Sequence, residues 1–114
     1  MAAALLHVQA LSEDTIAAPG NRNPNYIVVS VTDASGQPVQ NLGAAHFKVD
    51  PMLTGAGGLL VNVTSVTAGR LPGFYFINVV PQKTDTWKSG GYIFAIAVEK
   101  NDQRGQALCS VTLD

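Results

Sequence analysis

The sequence predicts an all-β domain, a two-sheet antiparallel sandwich of about seven or eight short strands. Three observations carry that prediction. Apolar and polar residues alternate with a period of two through one segment after another, turn residues punctuate those segments, and no stretch has helical periodicity with caps at both ends. With 114 residues the chain is a single domain, 1–114. That length buries about two thirds of the unfolded surface in one core without a staple.

The elements follow in order. Ala4 to Leu11 reads as a first strand, with Leu6, Val8 and Ala10 on one face. Residues 12–25, SEDTIAAPGNRNPN, hold two Pro, one Gly and three Asn and form a long loop or hinge, or a crossover between sheets. Tyr26 to Thr32 is the clearest strand, with Ile27, Val29 and Val31 inward. Asp33-Ala34-Ser35-Gly36 has the residue order of a type I turn, in which the Asp side chain bonds the backbone two residues on. Pro38 removes a ladder donor, which sends Pro38 to Leu42 to a sheet edge or a crossover. His46 to Val49 is a short strand with Phe47 and Val49 inward, ended by Pro51.

Thr54-Gly55-Ala56-Gly57-Gly58 is a linker. It lacks the Lys-Ser/Thr and the following helix that a phosphate cradle needs. Leu59 to Thr67 is a strand with Val61 and Val63 toward the core. Gly73 to Val80 is apolar on both faces except at Asn78, which places it near a sheet centre. After Pro81 a polar loop carries Trp87, and Gly91 to Glu99 turns Tyr92, Phe94, Ile96 and Val98 to one side. Asn101 to Gly105 reads as a hairpin loop of the longer, Gly-containing kind. The last strand, Gln106 to Leu113, points Ala107, Cys109, Val111 and Leu113 inward.

Composition narrows the function. Seven basic and eight acidic residues leave a formal charge of -1, with no Lys/Arg cluster, so nucleic acid is not an expected partner. No apolar run approaches membrane-spanning length, and membrane insertion is not expected. Met1 to Leu6 lacks a basic n-region and is shorter than a signal-peptide core; the chain is either made without a signal or is a mature or excised domain. The single Cys109 closes no internal disulfide.

With the strands placed, four pieces together resemble bacterial immunoglobulin-like domains of the invasin and adhesin type. They are Asp33 to Val39 (D-x-S-G-Q-P-V), Leu42 with Phe47-x-Val49, Gly73-x-Tyr75-x-Ile77-x-Val79, and Gly91-Tyr92-x-Phe94-x-Ile96-x-Val98. The likeness spans most of Tyr26 to Leu113, and the antibody-type Cys, Trp, Cys pattern is absent. It implies an immunoglobulin-like sandwich acting as a spacer, adhesion or docking module without catalysis, at a cell surface or outside the cell. Gly73 followed by Tyr75 looks like the tyrosine corner of such folds, whose phenol pins a crossover.

The residues that carry chemistry elsewhere are scattered here. A copper site needs two His, a Cys and an axial ligand, but His7 and His46 lie far from Cys109 and no His or Met follows it. Zinc lacks paired ligand spacing, and no motif joins either His to a nucleophile and an acid. Asp33, Asp50, Asp85 and Asp102 each stand alone in a loop, which reads as solvated turn residues before it reads as calcium ligation. No cofactor, metal or catalytic residue is therefore assigned.

Trp87 in QKTDTWKS has two readings. Its ring plugs the sandwich end, or it offers a recognition surface together with Lys83, Asp85 and Lys88. The expected function is a non-catalytic module that binds a protein or neighbouring copies of itself in an adhesin, fibre or larger assembly. One route to such pairing is exchange of the first strand with a neighbour's sheet edge. The alternative is a carbohydrate-binding module using the Trp87 loop, with a glycan as partner.

Overall fold

The computed structural model describes residues 4–12, 17–54 and 59–113, and these are all-β apart from one short turn of 3-10 helix, Ala44–His46. The strands are β1 (Ala4–Leu5), β2 (His7–Ser12), β3 (Asn25–Thr32), β4 (Phe47–Thr54), β5 (Val61–Ala68), β6 (Phe74–Pro81), β7 (Gly90–Lys100) and β8 (Gln103–Leu113). One sheet has the order β2-β3-β6-β5 and the other β1-β8-β7-β4. Every pairing is antiparallel except that of β1 with β8. Seven antiparallel strands in two packed layers make a β-sandwich. Their order is that of the immunoglobulin sandwich, A-B-E-D facing G-F-C in its usual lettering.

The two-residue alternation places the core where the sequence predicts it. Ile27, Val29 and Val31 of β3, Ile77 and Val79 of β6, and Phe94 and Ile96 of β7 are fully buried between the layers. β6 lies between β3 and β5, near the sheet centre that its two apolar faces suggest. At Asp33 the carboxylate accepts the Ser35 N–H at 2.8 Å and the Gln37 N–H at 3.0 Å, which is the expected turn.

Five local expectations change. The first strand breaks at Leu6: β1 pairs parallel with Gln103 and Arg104, and β2 then pairs antiparallel with β3 in the other sheet. The buried Leu6 side chain anchors the change of sheet, and its N–H donates to Arg104 O at 2.8 Å. Because β2 and β3 are neighbours in one sheet, the segment between them is not a crossover. Gly105 does not sit in the hairpin loop; the turn is Asn101-Asp102, with Asn101 at φ 56°, and Gly105 lies inside β8. A Cβ there would run into the Leu6 carbonyl, so glycine is what lets the first strand cross.

Pro51 does not end β4, which continues to Thr54 past a bulge between Pro51 and Leu53. β5 starts at Val61 and has its own bulge between Val63 and Ser65, which reverses its facing, so that Val63 and then Val66 lean on the core. The glycines of the Thr54–Gly58 linker, and with them the phosphate-cradle question, lie outside the described residues.

Candidate functional site

The Trp87 loop is built as a plug. Trp87 is 1% exposed, its indole N–H donates to Asn23 O at 2.7 Å, and its ring meets Tyr92 edge-on at 5.5 Å and Phe94 at 6.5 Å. Its backbone N–H donates to Asn21 O and its carbonyl accepts the Gly20 N–H, both at 2.9 Å. The 17–24 segment is thus fastened across the end of the sandwich. Arg22 adds bonds to the carbonyls of Asp85 and, at 3.0 Å, of Pro81.

Of the four candidate binding residues, Lys83, Asp85 and Lys88 are exposed on this loop, while the indole itself has no face open to a sugar ring. The structure does not bring the four together as a stacking platform. The physical reason is the ring's area: an indole at a sandwich end gains more from the Tyr92–Phe94 cluster than from water.

Two tyrosines fasten the chain connections. Tyr75 OH donates to Val39 O at 2.6 Å and accepts the Leu42 N–H at 3.4 Å, pinning the β3-to-β4 connection as expected for a phenol there. The closer match to a tyrosine corner is Tyr92 at the start of β7, whose OH donates to Lys88 O and accepts the Lys88 N–H, both at 2.8 Å. That loop is four residues back along the chain, the short reach such a corner makes.

Burial pushes the Tyr92 phenol above its ordinary value, against the opposing pull of the Lys88 backbone. A raised phenol pKa means stability that is full below the unfolded value of about 10 and is lost as pH rises through the folded value. Tyr92→Phe is expected to cost about 1 kcal/mol at neutral pH for the lost bonds. The gap from the wild type should narrow above about pH 10. Urea midpoints at neutral and alkaline pH check both parts.

Among the described residues, no three His, Cys, Asp or Glu side chains gather. His46 Nδ1 accepts the Gly43 N–H at 2.9 Å and closes the 3-10 turn, and His7 is exposed on β2. Cys109 is a buried free thiol, its pKa raised by burial and lowered in part by a bond to the Ser12 backbone.

The feature that sequence reading missed is the outer face of β2-β3-β6-β5. Register aligns Leu11, Val28, Phe76 and Thr67 in one rung across all four strands, with Gln9, Ser30 and Phe74 in the next. Leu11 is 65%, Phe76 41% and Phe74 38% exposed, and Leu71 at the rim is 63% exposed. Gly69 leaves room for the two rings, since a Cβ there would stand 3.2 Å from Phe74 Cβ and 3.4 Å from Phe76 Cε2. The outward residues of the four strands carry no Lys, Arg, Asp or Glu, whereas the opposite sheet's outer face presents Lys48, Asp50, Glu99 and Arg104. The signal was present in Phe74-x-Phe76, but two apolar faces on a central strand read equally well as burial on both sides.

No protein-family model, curated protein or solved structure matches the chain. What the fold and surface define is therefore a class, an all-β sandwich with the immunoglobulin strand order.

Proposed function

We propose that the chain is a non-catalytic immunoglobulin-like module that presents a protein-binding surface within an adhesin, a fibre or a larger assembly, the role implied by the resemblance to bacterial immunoglobulin-like domains. The observation that supports it is the uncharged apolar rung of Leu11, Val28 and Phe76 with Phe74 beside it. Exposed aromatic and aliphatic side chains gathered on one sheet face are what a protein partner desolvates, and aromatic side chains are enriched at interface centres. A glycan reading rested on an accessible Trp87, and the ring is covered.

A photo-crosslinking amino acid at position 76 tests this reading in producing cells, with position 48 on the other sheet as reference. An adduct to one defined protein at 76, absent at 48 and lost on Phe74→Lys, is the expected result. Equal labelling at both positions, or none at 76, would overturn it. Phe74→Lys should leave stability within about 1 kcal/mol of the wild type, because the residue is outside the core.

A further inference from the structure

We propose that two copies of this chain pair antiparallel through the free edge of β8, joining two β1-β8-β7-β4 sheets into one across a two-fold axis near Ser110. The two edges of the β1-β8-β7-β4 sheet are guarded unequally. On one side β4 carries Lys48, Asp50 and Pro51 and a bulge between Pro51 and Leu53, and β5 carries a bulge between Val63 and Ser65. Charges, proline and bulges are the devices that keep an edge from pairing with another chain. On the other side β8 has none of them from Gln106 to Thr112, and its register with β7 runs unbroken from Lys100↔Gln103 to Gly90↔Leu113.

β1 covers that edge only at Gln103 and Arg104. Since Arg104 O takes the Leu6 N–H, Arg104 turns its backbone groups outward. By strand alternation Gln106, Leu108, Ser110 and Thr112 do the same. Their side chains are exposed on the outer face, Leu108 at 63%. Beyond the β1 pairing and the Leu6–Arg104 bond, the described residues bond no backbone to this edge, and β2 packs against β8 from the inner side, where the Ser12 backbone meets Cys109.

The edge is self-complementary. A two-fold at Ser110 pairs Ser110 with its own copy and Leu108 with Thr112 of the second copy, each pair exchanging both backbone bonds. On the inner face Cys109 then meets Val111, and Ala107 meets Leu113, so both cores extend across the junction. No charged residue lies within the paired span, Ala107 to Leu113. Such an isologous contact closes as a dimer. It uses a different surface from the outer-face rung and leaves that rung free.

Sedimentation velocity over a concentration series, with amide exchange at each concentration, tests the pairing. The expected result is a dimer in which the Leu108, Ser110 and Thr112 amides gain protection as concentration rises. Ser110→Lys sets like charges face to face and Ser110→Pro removes the central donors, and each should weaken the dimer about tenfold or more. Neither should move the thermal midpoint of the dilute monomer much, since Ser110 donates nothing to β7. A wild type that stays monomeric at every concentration overturns the proposal. So does a dimer that survives both variants, or one whose protection appears on β6 instead. If a variant fails to fold, the concentration dependence of exchange in the wild type decides alone.

Discussion

Trp87→Ala is expected to destabilise the protein by about 3–5 kcal/mol, the cost of deleting a large buried aromatic and leaving a cavity. The figure is a large part of the about 5–15 kcal/mol that holds an ordinary domain together. The ring is the keystone of one end of the sandwich, packed on Tyr92 and Phe94 and bonded through its N–H to Asn23 O. Without it the 17–24 segment loses its anchor along with the core contact. Trp87→Phe should fall between, at about 1–3 kcal/mol, because a ring remains but the Asn23 carbonyl loses its donor. Chemical denaturation followed by far-UV circular dichroism measures both, and an alanine variant within 1 kcal/mol of the wild type would show that the loop packs without the indole. In the wild type the same burial should give a blue-shifted tryptophan emission.

Gly105→Ala is expected to cost about 3 kcal/mol, although the substitution adds a single methyl to an exposed-looking strand. The added Cβ meets the carbonyl of Leu6, a backbone group that has no rotamer to yield. The first strand must therefore leave β8. Exposing Leu6 contributes about 1.5–3 kcal/mol, and losing its bond to Arg104 about 1 kcal/mol more. The damage should be local. Amide exchange should speed up at Leu6 and Arg104 while Ile27, Val29 and Ile77 keep their protection. Uniform loss of protection, or no change at Leu6, would contradict the picture of Gly105 as the seat for the crossing strand.

These two residues also show how differently parts of the molecule could be read in advance. For β3, β6 and β7 the alternation of Ile27, Val29 and Val31, of Tyr75, Ile77 and Val79, and of Tyr92, Phe94, Ile96 and Val98 maps onto the buried face residue for residue. The break at Leu6 left no mark of that kind, because Leu6, Val8 and Ala10 alternate whether or not the chain changes sheets. Gly105 looked like a turn residue for the same reason: a glycine near a reversal is a turn signal unless another strand's backbone is known to lie against it. The bulges in β4 and β5 were hidden because one extra residue alters pairing and not composition.

The candidate surface was half legible. Phe74 and Phe76 stood out as apolar residues on the second face of a central strand, yet whether that face met another layer depended on how many layers the fold has. Tyr75 was assigned the corner that Tyr92 makes more closely, since both follow a glycine at a strand start and only the loop geometry around Lys88 separates them.

By itself the sequence determined that this is an all-β sandwich, which residues of its best strands face inward, and where most turns fall. Those properties follow from the pleat, which sends successive side chains to opposite faces whatever lies beyond the strand. The tertiary structure alone decided where the chain changes sheets, that Trp87 is core, that an apolar rung is left uncovered, and that β8 keeps an edge without charge, proline or bulge from Gln106 to Thr112. Each of these depends on partners far away in the chain, and a two-residue period holds no information about which strand comes to lie alongside.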